Sequence, residues 1–390
     1  MSCSRRPTLL GVVVVAGIVL ATAGRAAQSP VLVPASASPF AIDPGPTAVA
    51  IADVTGDGHP DVVTGHSQAR IVRVLTGDGR GGLARVLKPI TLAYPPSELA
   101  LADVNGDERI DLGISDHAGY AVDILLNHGA GTFTPGPGSR VIATDGRTPH
   151  THGFALLDVN GDRHADIISG NNDDDTVAVL LGNGKGGFTR VSRSPFGVGP
   201  SPYPFAAADL DGDAALDLAV PSSGTGANRV PGRELTLLRG DGRGDFRPAA
   251  GSPVAVAANP YYVAAGDVNG DARLDLAASH NGSSLFTVML NTTIGFVPAP
   301  GSPFTLPARA FTVLAADLNG DGHDDVVSGT GAGVVVLLGT PDGVVVAPGS
   351  PFRAGASAWN IAAGDLNRDG RVDIAAIDFD TSRLTLLLGR

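Results

Sequence analysis

The chain has 390 residues, 43% of them hydrophobic and 17% charged, with a formal net charge of −12. This apolar content is too high for a disordered chain, and the acidic balance without a basic cluster argues against nucleic-acid binding. The 53 glycines and 29 prolines punctuate short apolar runs. This pattern, with no long helical period, indicates an all-β protein with many turns.

Residues 1–27 have the pattern of a secretory signal peptide. Arg5 and Arg6 precede an apolar run of about 15 residues that starts at Leu9, and small residues follow. A membrane span needs about 20 apolar residues, so an uncleaved anchor is the less favoured alternative. We therefore expect a secreted or extracytoplasmic protein, in the periplasm or at the cell surface, with no membrane span after cleavage. Cys3 is the only cysteine and would leave with the signal.

A nine-residue acidic motif recurs along the rest of the chain at intervals of about 50 residues. The copies begin at Asp53, Asp103, Asp158, Asp209, Asp267, Asp317 and Asp365. Each copy lies between two short apolar runs. A third run follows, often ending in Leu-Leu, and a glycine turn leads to a fourth run. Four strands per unit, repeated in this way, predict a seven-bladed β-propeller with four-stranded blades over residues 31–390.

The two ends of the chain indicate how the ring closes. The last unit stops at LTLLLGR, after its third apolar run, whereas the fourth runs of other units carry a Ser-Pro tag, as in VPAPGSPFTL. Residues 31–42, VLVPASASPFAI, carry the same tag. We predict that this N-terminal segment supplies the missing strand of the last blade, which would also remove exposed sheet edges. A disordered linker after the signal is the alternative.

The repeated motif has the composition of a calcium loop. Positions 1, 5 and 9 are Asp in every copy, and position 3 is Asn, Asp or Thr. Oxygen ligands at alternate positions of a tight turn suit Ca²⁺, whereas Zn²⁺ and copper favour nitrogen and sulfur. The sequence predicts up to seven structural Ca²⁺ ions. The predicted ligands are Asp53, Thr55, Asp57, Asp61, Asp103, Asn105, Asp107, Asp111, Asp158, Asn160, Asp162, Asp166, Asp209, Asp211, Asp213, Asp217, Asp267, Asn269, Asp271, Asp275, Asp317, Asn319, Asp321, Asp325, Asp365, Asn367, Asp369 and Asp373.

Two other structures could carry acidic residues at this spacing, a turn without an ion and an EF-hand. A polar Asp/Asn/Gly turn without an ion explains one copy but not the recurrence of Asp at three fixed positions. An EF-hand would need flanking helices and a Glu at position 12, where this chain has residues such as Ile114.

The repeat resembles the FG-GAP or VCBS repeat of integrin α-subunit propellers and many secreted bacterial proteins. The resemblance rests on the motif D-x-[DN]-x-D-G-x-x-D and covers about residues 40 to 390. It implies a seven-bladed propeller with calcium loops between the first two strands of each blade. Thr55, a weak ligand, and Arg368, which replaces the usual glycine, depart from the family pattern. The first and last sites are therefore expected to bind calcium more weakly.

A second set of equivalent positions, one in each unit, predicts a ligand-binding face. Six residues before each motif the chain has Thr47, Ser97, His152, Tyr203, Tyr261, Phe311 and Trp359. These positions begin the inner strands, near the axis on the face opposite calcium. We predict that a ligand binds to His152, Tyr203, Tyr261, Phe311 and Trp359, either through cation–π contact or by stacking of a sugar on the rings. These positions resemble the ring of aromatic residues of integrin α propellers, and the resemblance implies such a use. Packing that closes the channel mouth is the alternative. His150 and His152 form an H-x-H pair, for which a metal site is a minor alternative.

These features favour a secreted, calcium-binding propeller that acts as a binding or adhesion module for an extracellular protein or glycan. A polysaccharide lyase or hydrolase is the alternative, and a purely structural surface module is a third possibility. The enzyme would draw its acid and base groups from the loops of the same face. The available side chains are Asp145, His150, His152, Asp173, Asp174 and Tyr203. Since nothing fixes their geometry, no catalytic residue is assigned.

Overall fold

The computed structural model describes residues 32–117, 119, 121–143, 150–224 and 231–390. The predicted signal peptide, residues 1–27, lies outside this part of the chain. The described residues form seven antiparallel sheets, and each sheet packs against the next around a ring. The predicted all-β, seven-bladed propeller is therefore confirmed.

The blades are numbered in chain order and their strands run from the innermost outward. Blade 1 comprises Pro46–Ala52, Asp61–His66, Ile71–Gly77, Leu83–Val86 and Ile90–Thr91; blade 2 comprises Pro96–Ala102, Asp111–Asp116, Ala121–Asn127, Phe133–Pro135 and Val141–Ile142. Blade 3 comprises Thr151–Leu157, Asp166–Asn171, Thr176–Gly182, Phe188–Arg190 and Phe196–Gly197; blade 4 comprises Ala206–Ala208, Asp217–Ser222, Glu234–Gly240, Phe246–Pro248 and Val254–Ala255. Blade 5 comprises Pro260–Gly266, Asp275–His280, Leu285–Thr292, Gly295–Pro298 and Phe304–Thr305; blade 6 comprises Ala310–Ala316, Asp325–Thr330, Gly333–Thr340 and Gly343–Val346. Blade 7 comprises Asn360–Gly364, Asp373–Asp378, Arg383–Leu388 and the N-terminal strands Val33–Pro34 and Phe40–Ala41.

The core lies between blades rather than at one centre. Each apolar cluster of the described residues joins two consecutive blades, and one of them joins Ile51 of blade 1 to Ile377 of blade 7. Both faces of a blade are thus covered, so strands such as Asp61–His66 are buried along their whole length. This explains why the motif is followed by continuous apolar runs instead of alternating ones. The inner strands are rich in alanine, because small side chains fit where the blades converge.

The N-terminal segment closes the ring, as predicted. Val33 pairs with Leu388, and Phe40 pairs with Leu384, both antiparallel. The last blade therefore receives its outer strand from the opposite end of the chain. Pairing of the third strand on both sides leaves it without an open edge.

The Ser-Pro tag has a structural role in the outer strand. Where the tag occurs, the outer strand leaves the sheet and returns as a short second segment, for example Gly295–Pro298 and then Phe304–Thr305. The serine hydroxyl oxygen accepts a hydrogen bond from a third-strand N–H that this break leaves open. The serines are Ser38, Ser194, Ser252, Ser302 and Ser350, at 2.9–3.0 Å. The tag therefore splits the outer strand without leaving a backbone donor unpaired.

Candidate functional site

The repeated motifs lie beside the turns between third and fourth strands, on what we call the motif face. The N–H of Gly186, in such a turn of blade 3, donates to the carbonyl of Val104 in the motif of blade 2 at 3.0 Å. The side-chain amide of Asn127 in blade 2 donates to the carbonyl of Val54 in blade 1 at 2.7 Å. The motif loops therefore also connect neighbouring blades.

Each motif loop is folded around its first aspartate. The carboxylate of Asp103, for example, accepts the backbone N–H groups of Gly106 at 2.7 Å and Glu108 at 2.8 Å. A positive φ is needed at Gly106 (77°), where glycine has no steric penalty. The carboxylate at position 5 then accepts the N–H of position 7, as Asp107 does from Arg109 at 3.0 Å.

The aspartate at position 9 is buried and fastens the loop to the blade. Asp111 accepts the N–H of Val104 at 3.1 Å and the N–H of Asn127 at 2.7 Å. In every blade the aspartate at position 9 accepts two such hydrogen bonds. One comes from an N–H in the motif and the other from an N–H at the end of the third strand. These aspartates are Asp61, Asp111, Asp166, Asp217, Asp275, Asp325 and Asp373. The sequence pattern predicts only a metal role for position 9 and gives no sign of these hydrogen bonds.

The loops concentrate negative charge in partly buried positions. Burial raises the pKa of Asp111 to about 6 against the opposing effect of its backbone hydrogen bonds, and the nearby Asp107 and Asp103 raise it further. Burial likewise raises the pKa of Asp325 to about 8. A bound cation would relieve this unfavourable charge.

The donor set of the loops fits a hard cation. In blade 4 the carboxylate oxygens of Asp209, Asp211 and Asp217 lie within 4.8 Å of one another. Elsewhere Asn or Thr replaces the aspartate at position 3, so the equivalent set has one charge fewer. All donors are oxygen atoms, which suits Ca²⁺.

Arginines occupy part of three loops. The guanidinium of Arg239 lies 2.9 Å from Asp211 and 2.6 Å from Asp213, while Arg109 pairs with Asp107 and Arg273 pairs with Asp271. These cations sit on the carboxylates that the sequence assigned to calcium. Their spacing in the chain gave no sign of the contact.

The ring face carries the predicted ligand-binding residues. Two groups of contacting, mutually tilted rings lie at or just before the starts of successive inner strands: His152, Tyr203 and Tyr261 in one, Phe311 and Trp359 in the other. Ring centroids lie 4.5 Å apart for His152 and Tyr203, 4.6 Å for Tyr203 and Tyr261, and 4.9 Å for Phe311 and Trp359. Thr47 and Ser97 hold the equivalent positions of blades 1 and 2 without an aromatic ring.

The five ring residues are partly or almost fully buried, and a small cavity lies near them. Phe311 is 9% exposed, and the other four remain half-buried. A cavity of about 10 Å³, room for about one water molecule, is lined by residues that include Glu98, Tyr262 and Asn360. Among the described residues, this cavity is too small for a ligand larger than water.

The loops between second and third strands add residues that the sequence analysis missed. Phe379, the residue after the second strand of blade 7, lies 5.9 Å from Trp359 between ring centroids. His117 holds the same register position in blade 2 and contacts both His150 and His152. Counting six residues beyond the last motif aspartate would have found both.

Acidic side chains surround the histidines. The 3₁₀ helix Asn172–Asp174 brings the carboxylate of Asp173 to 3.3 Å from Nδ1 of His150. Burial lowers the pKa of His152 to about 3, and the neighbouring His150 and His117 lower it further. Burial also raises the pKa of Glu98, whose Oε1 lies 3.9 Å from Nδ1 of His152. Asp145, a member of the alternative enzyme set, lies outside the described residues.

A separate crevice of about 1010 Å³ opens between blades 4 and 5. Its lining includes Asp211, Arg239, Arg273 and Phe296, and Ile294 at its edge is 88% exposed. The crevice adjoins the motif face and shares no residue with the ring face.

The sequence matches the family described as FG-GAP-like repeat over residues 53–114, 103–169, 158–220 and 317–376. A solved structure of BBS1N in complex with ARL6DN, soaked with lead, is 14% identical, with a TM-score of 0.62 over 92% of this chain and 96% of that chain. An Agrocybe aegerita lectin that recognises non-reducing terminal N-acetylglucosamine is 20% identical, with a TM-score of 0.50 over 82% of this chain and 79% of that chain. At these identities the likeness concerns the fold.

Comparison with curated protein sequences finds no match. Among the described residues, no helix has the length and apolar character that crossing a bilayer requires.

Proposed function

Because the chain belongs to the FG-GAP-like repeat family, we propose that it is a secreted, calcium-stabilised β-propeller that binds a protein or glycan partner on its ring face. The observation that carries this proposal is the set of contacting rings at this face, formed by His152, Tyr203, Tyr261, Phe311 and Trp359. Only 5% of the chain is aromatic, so the concentration of rings at one face favours a role beyond packing.

The chemistry of this face suits a basic side chain. The guanidinium carbon of Arg309 lies 4.9 Å from the ring centroid of Phe311, and Arg309 is exposed. The chain itself therefore presents a cation to these rings, and a partner's arginine or lysine has matching chemistry. The same flat surfaces allow stacking on a sugar ring. The similar structures are described as a complex with another protein and as a lectin, so the scaffold is compatible with both classes.

Calcium has a structural role in this proposal. The carboxylates at positions 1, 5 and 9 and the oxygen at position 3 of each motif would hold the ion. The ion would neutralise clustered carboxylates and fasten the loop between the first two strands. Extracellular modules of this kind bind calcium at roughly 10⁻⁴–10⁻³ M, which agrees with the secretion signal proposed for residues 1–27.

Binding arrays test the ring face directly. The purified chain, in calcium buffer, is applied to a peptide array with single arginine or lysine residues in neutral surroundings, and to a glycan array. We expect binding that Trp359→Ala weakens at least about tenfold, because buried aromatic anchors dominate interface energy. Equal thermal melting of the two proteins establishes that the variant is folded.

Phe296→Ala is the matched control, since Phe296 is a half-buried aromatic in the crevice between blades 4 and 5. We expect this variant to bind as the unmodified chain does. Binding lost in Phe296→Ala but kept in Trp359→Ala would move the site to the crevice. Absence of binding on both arrays would refute the proposed partner chemistry.

A further inference from the structure

We propose a second kind of metal site, for a late first-row divalent cation with Zn²⁺ foremost, formed by His117, His150 and His152. These residues come from two neighbouring blades. His117 follows the second strand of blade 2, whereas His150 and His152 flank the first residue of the inner strand of blade 3. Each offers a ring nitrogen, and these atoms all lie within 4.8 Å of one another.

The imidazoles converge as ligands of one ion do. The Nε2 atoms of His150 and His152 are 3.0 Å apart. The three ring centroids are separated by 4.6–5.1 Å, and all three pairs of rings meet edge to face. Three histidines with a free fourth position is the composition of a catalytic-type zinc site, in which water or a ligand completes the tetrahedron.

Two of the histidines have a carboxylate near their Nδ1 atom. Nδ1 of His150 lies 3.3 Å from Asp173, and Nδ1 of His152 lies 3.9 Å from Glu98. Glu98 is itself held by the hydroxyl of Ser115 at 2.8 Å. A carboxylate hydrogen-bonded to the distal nitrogen fixes the orientation of a metal-bound imidazole and increases its basicity, and Asp173 is placed to do this for His150.

Simple packing explains the cluster less well. One N–H···N bond between His150 and His152 would satisfy only that pair of rings. Within the part of the chain that the structure describes, the His117 ring contacts both partners but makes no hydrogen bond. An ion would use all three nitrogens together. Because its donors are nitrogen atoms, this site differs from the all-oxygen motif loops, and the two kinds of ion do not compete for it.

Metal titration in the presence of calcium tests the proposal. The full chain is stripped with chelator, returned to buffer with excess Ca²⁺, and titrated with Zn²⁺ by calorimetry and with Co²⁺ by visible absorption. We expect one tight Zn²⁺ per chain and the intense absorption of tetrahedral Co²⁺. His117→Ala should weaken Zn²⁺ binding at least tenfold without changing the melting temperature in calcium, because His117 is exposed.

The control is His128→Ala, an exposed histidine whose ring bonds to Thr134 instead. It should leave Zn²⁺ binding unchanged. His150→Ala supplies a second variant with a half-buried side chain. Absence of stoichiometric Zn²⁺ binding, or equal binding by His117→Ala, His150→Ala and the unmodified chain, would overturn the proposal. None of these outcomes depends on partner binding, so failure of the metal site can be distinguished from failure of the proposed function.

Discussion

The carboxylate of Asp111 accepts a 2.7 Å hydrogen bond from the backbone N–H of Asn127, joining the end of the motif to the end of the third strand. The other oxygen of Asp111 accepts from Val104, within the motif itself. One buried side chain therefore links three segments of the blade. The motif aspartate at position 9 is thus a structural residue even before any ion is considered.

Replacing Asp111 by alanine should destabilise the fold. Two buried N–H groups would lose their acceptor, and each unsatisfied donor costs about 1–3 kcal/mol. We expect a loss of about 2–6 kcal/mol in the free energy of unfolding, measured by urea denaturation. The loss should persist in excess chelator, since it does not require calcium. Asp342→Ala, which removes an exposed acid in the turn of blade 6, is the control and should have little effect.

Calcium should raise the melting temperature of the whole chain. A site held at 100 times its dissociation constant contributes about 2.7 kcal/mol, so even a few occupied loops give a large shift. Differential scanning calorimetry with Ca²⁺, Mg²⁺ and excess EDTA measures it. Mg²⁺ should be much less effective because it keeps its waters and a strict octahedron. Identical melts in Ca²⁺ and EDTA would rule out a stabilising calcium role.

Two serines in one turn, one inside the Ser-Pro tag and one outside it, allow a matched pair of substitutions. Ser194→Ala removes the acceptor for the N–H of Val179 at 2.9 Å, in a buried position. Ser192→Ala changes an exposed residue two positions earlier. We expect Ser194→Ala to cost about 1–3 kcal/mol in urea denaturation and Ser192→Ala to be neutral. Equal effects would mean that the hydrogen bond of the tag carries no stability.

Acid should weaken the fold through His280. This fully buried ring donates from Nδ1 to the carbonyl of Ala258 at 3.0 Å, and its Nε2 accepts from Thr287 at 2.8 Å. Burial lowers its pKa to about 4, whereas a histidine in an unfolded chain has a pKa of about 6.5. Between these values the unfolded chain binds a proton that the folded chain does not. Stability from this group is complete above about pH 6.5 and falls with pH by up to about 1.4 kcal/mol per unit.

The measurement is the unfolding free energy of the unmodified chain and of His280→Gln at several pH values from 7 to 4. The variant lacks the titrating ring, so the difference between the two proteins should shrink as the pH falls. A difference that is constant with pH would contradict the assignment. Other groups, such as the motif aspartates with raised pKa, contribute equally to both proteins and cancel.

Repetition explains what the sequence could predict. Asp103 or Asp111 alone is ambiguous, but Asp at the same positions in every unit established the period, the blade and the register that located Trp359. The closing strand was predictable because Ser38 carries the same tag as Ser302. Contacts between units have no repeated sequence pattern of this kind. His117 meets His150 only because the loop of one blade lies beside the inner strand of the next, and Arg239 reaches Asp213 across a hairpin. Spacing could place His117 at its register position, but it gives neither the distance from His117 to His150 nor the distance from Arg239 to Asp213.

The closing strand also sets the order in which the molecule can be completed. Ser38 and Leu386, which share a hydrogen bond, are 348 residues apart. A ribosome that adds about 5–20 residues per second therefore makes Ser38 roughly 20–70 s before its partner exists. The ring cannot close through this hydrogen bond until Leu386 has been made. Until blade 7 is made, Ile51 of blade 1 also lacks the partners, such as Ile377, that cover it in the closed ring.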